Sequence, residues 1–136
     1  MSRRGLLVSV RDPAEAAEAI AGGADIVDVK EPAVGALGAA APATIAAVAS
    51  LVAGRRPWTF ACGEVADAAD PRALLAEVLA DPAARGAARP AAIKAGLSRL
   101  AGRPWERWLR AVVDGLPSET AFVGVAHADH RRAQAP

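Results

Sequence analysis

The fold is indicated first by residues 5–15, which have the sequence GLLVSVRDPAE. The first six residues form a nearly continuous apolar run, the pattern of a strand buried on both faces. Asp12 then supplies a helix N-cap and Pro13 suits the first helical turn. We therefore predict a strand over residues 5–10 and a helix over residues 13–21.

The same strand-then-helix unit recurs along the chain. The further predicted strands are Asp25–Val29, Trp58–Gly63, Ala91–Ala95 and Thr120–Ala126, and the further helices run from about Pro42 to Ala53, from Asp70-Pro71 and from near Pro104. This alternation predicts an α/β fold with a parallel sheet and helical cover. Periodicity does not decide between an open doubly wound sheet and part of a closed barrel. In both, the active groups belong at the C-terminal ends of the strands.

Composition and charge narrow the class of protein. The 136 residues suit one globular domain, and the net charge of +1 comes from scattered cations, which argues against a nucleic-acid partner. The single cysteine, Cys62, fits a reducing cytoplasm, and Met1–Gly5 lacks the apolar segment that a signal peptide needs. The uncharged stretch Pro32–Gly54 is long enough to span a membrane. It is mostly alanine and glycine, however, and predicts a loop followed by a helix outside the membrane.

Lysine is confined to two positions, Lys30 and Lys94, whereas every other basic residue except histidine is arginine. Lys30 directly follows the second strand and Lys94 lies at the end of the fourth, so both are predicted at the same rim of the sheet. A lysine amine can attack a carbonyl when burial or a second cation lowers its pKa, which arginine cannot do. Imine chemistry and simple extension of both side chains into solvent remain open as interpretations.

Asp28 lies two residues before Lys30 and is predicted on the same face of the strand. It could orient or deprotonate a substrate carbon, or form an ion pair with Lys30 or an arginine. Asp25, three residues earlier, is predicted on the opposite face.

Three further segments carry candidate polar contacts. The loop that contains Gly35 and Gly38 offers backbone N–H groups that could bind phosphate, with a plain strand-to-helix turn as the alternative. Glu64 ends the third strand on the same rim. His127, Asp129 and His130 lack further ligands at zinc spacing, so no metal site is predicted. Cys62 is interpreted as a small core residue rather than a nucleophile.

Several of these segments together resemble a known family, the (5-formylfuran-3-yl)methyl phosphate synthases of methanofuran biosynthesis. The similar segments are Leu6–Val10, Gly22–Pro32, Gly35–Ala39, Ile93–Leu97 and Ala126–Asp129. The resemblance covers essentially the whole chain, but about the first three-fifths of the family's barrel. His127 stands where the family has a tyrosine.

The resemblance implies a (β/α) TIM-type barrel that joins two molecules of glyceraldehyde 3-phosphate, with loss of phosphate and water. It implies that Lys30 forms the Schiff base, that Lys94 is the assisting cation or acid–base group, and that Asp28 is the matching aspartate. It places Asp129 with the substrate-binding residues and implies no metal or organic cofactor. The composition is more similar to that of the bacterial members, which serve one-carbon metabolism.

The resemblance also raises the question of barrel closure. About five β/α units over residues 1–136 give one partial barrel domain, without the family's later aspartate, lysine and phosphate-binding loops. Open sheet edges and an apolar interior predict self-association or a partner that supplies further strands. Two rival functions stay open: another Schiff-base sugar-phosphate aldolase, and a remnant without catalysis that acts as an assembly partner.

Overall fold

The computed structural model describes residues 4–67 and 69–127, and these contain one sheet of five parallel strands. The strands are β1 Leu7–Val10, β2 Ile26–Val29, β3 Trp58–Glu64, β4 Ala92–Gly96 and β5 Ala121–Val125. The helices are α1 Pro13–Ala21, α2 Pro42–Val52, α3 Pro71–Ala80 and α4 Trp105–Gly115. Each predicted strand and helix is present, with ends that differ from the prediction by at most two residues.

Two helices begin at the Asp-Pro pairs that the sequence singled out. Asp12 Oδ1 accepts a hydrogen bond from the N–H of Glu15 at 2.9 Å, and Glu15 Oε2 accepts one from the N–H of Arg11 at 2.8 Å. Asp70 Oδ1 accepts a hydrogen bond from the N–H of Ala73 at 3.2 Å. These carboxylates satisfy amides at the helix start that have no partner within the helix, which fixes where α1 and α3 begin.

The strands lie in chain order, β1-β2-β3-β4-β5. Consecutive helices pack against each other, α1 on α2, α2 on α3 and α3 on α4. A doubly wound sheet requires a reversal of strand order, which sends its helices to both faces. Here the order is sequential, and the helices cover one face of the sheet.

The covered face carries the hydrophobic core. Strand residues of one parity share this face, as the pairs Val10–Val29, Val29–Phe60 and Phe60–Ile93 show. Trp58 stacks on Phe60 with ring centroids 5.9 Å apart, and its indole N–H donates to the carbonyl of Ala88 at 3.0 Å. Helix α2 contributes alanine and β-branched side chains to this core. Its buried residues are Ile45, Ala46, Val48, Ala49 and Val52.

The opposite face has no helix packed on it within the described residues. It was predicted to be apolar, and the structure shows a mixed face: Leu7 of β1 and Val123 of β5 are exposed on the edge strands, and the small Ala61 is buried in β3. The centre carries Asp28 and Thr59, which are both buried. Polar side chains are stable there because they satisfy one another's hydrogen bonds, as described below.

The uncharged stretch 32–54 was predicted to form a loop followed by a helix. It forms a single 3₁₀ turn, a loop and the 11-residue helix α2. In the part of the chain that is described, no helix has the length and apolar character to cross a membrane. In α4, Val112 is buried while Val113 is half exposed, so this helix is only partly covered.

Candidate functional site

The uncovered sheet face brings together polar side chains from three neighbouring strands. Ser9 of β1 pairs in register with Asp28 of β2, and Asp28 pairs with Thr59 of β3. Residues paired in a parallel sheet point to the same face, so these three side chains form one row. Ser9 and Thr59 were not singled out in the sequence, although each is a polar residue at the parity of Asp28 within an apolar strand.

Asp28 is the centre of this row and is completely buried. Its Oδ1 accepts a hydrogen bond from Thr59 Oγ1 at 2.6 Å, and its Oδ2 accepts one from Ser9 Oγ at 3.1 Å. Lys94 Nζ lies 2.5 Å from Oδ2. A buried carboxylate requires a counter-charge and hydrogen-bond donors, and Asp28 has both.

Lys94 reaches Asp28 from β4 by crossing β3. Its register partner on β3 is Ala61, whose small side chain leaves the path open. The side chain of Lys94 is only 16% exposed. The ion pair that the sequence suggested between Asp28 and Lys30 or an arginine is thus formed with Lys94.

Lys30 follows β2 directly, and its N–H continues the ladder by donating to the carbonyl of Val10 at 3.0 Å. Because it stands two residues after Asp28, it is assigned to the same face of the sheet. It is partly buried, and its amine forms no ion pair with any residue in the described ranges. The two lysines of the chain therefore differ: one amine is neutralised by a carboxylate and the other has no acidic partner there.

The loop after β2 is held by its own backbone. The N–H of Glu31 donates to the carbonyl of Gly38 at 2.8 Å, and the N–H of Gly38 donates to the carbonyl of Gly35 at 3.0 Å. Gly35 has φ of +125°, and a Cβ on Gly38 would overlap with the carbonyl of Glu31. Both glycines are thus required by the turn itself, which is the alternative that the sequence left open.

These internal bonds limit which amides of the loop could meet an anion. The N–H of Gly35 donates to the carbonyl of Pro32, so neither glycine amide is available. The amides of Ala36 and Leu37 have no acceptor among the described residues. The loop borders a pocket of about 260 Å³. Phosphate binding at Gly35 and Gly38 stays a prediction, and the amides that could serve it are those of Ala36 and Leu37.

Glu64 joins the ends of three strands. Its Oε2 accepts hydrogen bonds from Ser98 Oγ at 2.7 Å and from the N–H of Ser98 at 3.2 Å, and its Oε1 lies 3.0 Å from His127 Nε2. A Cβ on Gly96 would overlap with this carboxylate. Gly96 stands two residues after Lys94 and shares its face, so Glu64 occupies the next layer above Lys94. Ser98 was missed in the sequence because only the fold brings it to Glu64.

The remaining candidates are Cys62 and the residues near the C-terminal end of the chain. Cys62 is buried, and burial raises the pKa of its thiol to about 12, which agrees with a core residue rather than a nucleophile. Asp129 and His130 lie outside the described residues, so the predicted role of Asp129 in substrate binding has no structural account.

Comparison with known proteins assigns the chain to a family. A family model described as 4-HFC-P synthase matches residues 6–136. The chain belongs to this family. The matched region includes Asp28, Lys30, Glu64 and Lys94.

Individual members of the 4-HFC-P synthase family are similar over shorter segments. A putative (5-formylfuran-3-yl)methyl phosphate synthase of Methylorubrum extorquens is 43% identical over 46% of this chain and 27% of its own length. A (5-formylfuran-3-yl)methyl phosphate synthase of Methanococcus maripaludis strain C5 is 50% identical over 44% of this chain and 25% of its own length. The alignments thus cover about a quarter of each relative.

Proposed function

We propose that this chain carries the Schiff-base site of a furan-phosphate synthase in methanofuran-type cofactor biosynthesis. The substrate is glyceraldehyde 3-phosphate, and two molecules condense to (5-formylfuran-3-yl)methyl phosphate. Membership of the 4-HFC-P synthase family and the names of the similar relatives support this proposal. One phosphate and two water molecules leave, which balances the atoms of the product.

The observation that carries the proposal is the unequal state of the two lysines. Lys94 forms an ion pair with Asp28, with Nζ 2.5 Å from Oδ2, whereas Lys30 has no acidic partner in the described part of the chain. The ion pair holds the Lys94 amine against Asp28, so this amine is not free to approach a carbonyl carbon. An amine without a carboxylate partner, on the face that already holds a second cation, is the better nucleophile. Lys30 is therefore the residue that we assign to imine formation.

In this mechanism the nitrogen of Lys30 attacks the aldehyde carbon of the substrate. A C–N bond forms, the carbonyl oxygen takes up protons and leaves as water, and a C=N bond remains. Lys94, held by Asp28, supplies a nearby positive charge, and the two protons that leave with the oxygen come from the attacking amine through solvent. Asp28 has no exposed surface and keeps Lys94 in place, so positioning is the role that its burial favours over direct contact with substrate.

We further propose that the sheet is part of a closed (β/α) barrel. Sequential strand order and helices on one face are what such a barrel requires. The uncovered face would then be its interior, with Asp28, Lys30 and Lys94 turned inward near the C-terminal ends of the strands. The open edges of the five-stranded sheet favour self-association of the chain or pairing with a partner. Size-exclusion chromatography with light scattering tests this, and a monomer would contradict the predicted association.

The function is tested by borohydride trapping with glyceraldehyde 3-phosphate, followed by peptide mass mapping. With only two lysines in the chain, the adduct can be assigned without ambiguity. We expect the substrate-derived mass on Lys30, its loss in Lys30→Ala, and its loss in Lys30→Arg, which keeps the charge. An adduct on Lys94 instead would refute the assignment.

The same samples separate the rival functions. Incubation without borohydride and analysis of the product distinguishes the furan phosphate from the aldol product of another Schiff-base aldolase. Absence of any adduct in a sample shown to be folded by circular dichroism would favour a chain without catalysis.

A further inference from the structure

Thr59 lies between the two members of the buried ion pair. It is 5% exposed, pairs in register with Asp28 and stands on the strand that separates Asp28 from Lys94. Its hydroxyl donates to Asp28 Oδ1 at 2.6 Å, whereas the nearest approach of Lys94 Nζ is to Oδ2. Thr59 therefore contacts the pair without taking the place of the amine.

A carboxylate is planar, so fixing one oxygen restricts where the other can lie. With Oδ1 of Asp28 held by Thr59 on β3, rotation of the carboxylate is limited and Oδ2 stays where Lys94 meets it. Ser9 donates to the same Oδ2 from β1, but at the longer distance of 3.1 Å. The shortest hydroxyl contact of Asp28, and the only one to Oδ1 within the described residues, is that from Thr59.

The orientation of the Asp28 carboxylate matters because the side chain of Lys94 could also extend away from it. Lys94 lies across Ala61, which offers no polar group to hold the amine. Without an oriented carboxylate, its long side chain can extend toward the open face, where the substrate carbonyl would lie in the proposed reaction. Two accessible lysines would then compete for one aldehyde.

We infer that Thr59 is a positioning residue: its hydroxyl orients Asp28 so that Lys94 stays in the ion pair, leaving Lys30 as the amine that meets the substrate. This inference rests on the proposed Schiff-base function. It assigns Thr59 a role through Asp28 and not through contact with substrate.

The test is competitive acylation of the two lysines with limiting acetic anhydride, read by peptide mass mapping. In the unaltered chain we expect Lys94 to be acylated more slowly than Lys30. In Thr59→Val, which keeps the shape and removes the hydroxyl, the ratio of Lys94 to Lys30 labelling should rise about 5- to 30-fold, the change expected for loss of one buried hydrogen bond. Thr59→Ser should restore the original ratio.

The matched control is Thr120→Val. Thr120 is 6% exposed, and its hydroxyl donates to the carbonyl of Pro90 at 2.9 Å, away from the lysines. It should lose comparable stability and leave the labelling ratio unchanged. An unchanged ratio in folded Thr59→Val, or an equal rise in both variants, would overturn the inference. If Thr59→Val does not fold, Thr59→Cys carries the same expectation at smaller amplitude, because a thiol is a weak donor.

Borohydride trapping on the same variants distinguishes the role of Thr59 from the proposed Schiff-base function. If Thr59 positions Lys94 as inferred, Thr59→Val should shift part of the substrate adduct from Lys30 to Lys94. If the unaltered chain forms no adduct on Lys30, the proposed function fails, yet the acylation ratio still tests Thr59 because it requires no substrate.

Discussion

Lys94→Met and Asp28→Asn break the same ion pair from opposite ends, and we expect them to reduce stability by different amounts. Lys94→Met leaves the carboxylate of Asp28, which is completely buried, with two hydroxyl donors and no cation. Removing one partner of a buried pair typically destabilises by about 3–5 kcal/mol, because the remaining charge is uncompensated. We expect Lys94→Met to fall in this range.

Asp28→Asn should be milder. The asparagine keeps the shape of the side chain and an oxygen that Thr59 can donate to, while its amide can donate to Ser9. The side chain of Lys94 is already 16% exposed, and its amine can extend into water when the carboxylate is gone. The expected loss is about 1.5–3 kcal/mol, the order of a missing hydrogen bond to a charged group.

The assay is urea unfolding of both single variants and of the double variant. We expect Asp28→Asn to relieve part of the loss caused by Lys94→Met, with a coupling of about 1–3 kcal/mol. Arg99→Met is the control, because Arg99 pairs with Asp67 at the surface. Its effect on the free energy of unfolding should lie within the error of the measurement. Equal losses in the two single variants, or a larger loss in Asp28→Asn, would refute the reasoning about burial.

Two further predictions concern other parts of the site. Gly96→Ala places a methyl group where the carboxylate of Glu64 lies, which should break the hydrogen bonds that Ser98 donates to Glu64. The free energy of unfolding measured in urea should fall by about 1–3 kcal/mol. In a Glu64→Ala background the same substitution should cause no further loss. An added loss there would mean that Glu64 is not the obstacle. Cys62 has its thiol pKa raised by burial to about 12, above the usual value of 9.0, so the unfolded chain releases this proton first as pH rises. Stability should therefore fall between pH 9 and 12 by about 1.4 kcal/mol per pH unit relative to Cys62→Ala, and parallel curves for the two proteins would contradict this.

The elements of the fold were predictable because their signals are local. Apolar runs, Asp-Pro starts and glycine ends act within a few residues, and Asp12 and Asp70 cap the helices as expected. The character of the sheet face was not predictable in the same way. A strand such as IVDV does not reveal whether its polar residue faces solvent, a helix or a partner on another strand.

The candidate site was predictable only in part. Two isolated lysines at strand ends were visible in the sequence, and so was Asp28 at the parity of Lys30. The pairing of Asp28 with Lys94 was not, because 66 positions separate them and β3 lies between their strands. The two glycines of the loop drew attention as a phosphate site, whereas their amides close the loop on itself.

By itself, then, the sequence determined which segments become strands and helices, that they alternate, and that imine chemistry has two lysines to draw on. These properties follow from periodicity and residue chemistry, which act locally. The tertiary structure decided which lysine is neutralised and which hydroxyls hold the carboxylate. Those outcomes depend on register: pairing Ser9 with Asp28 and Asp28 with Thr59 sets residues from distant parts of the chain side by side, about 5 Å apart, at the spacing of neighbouring strands.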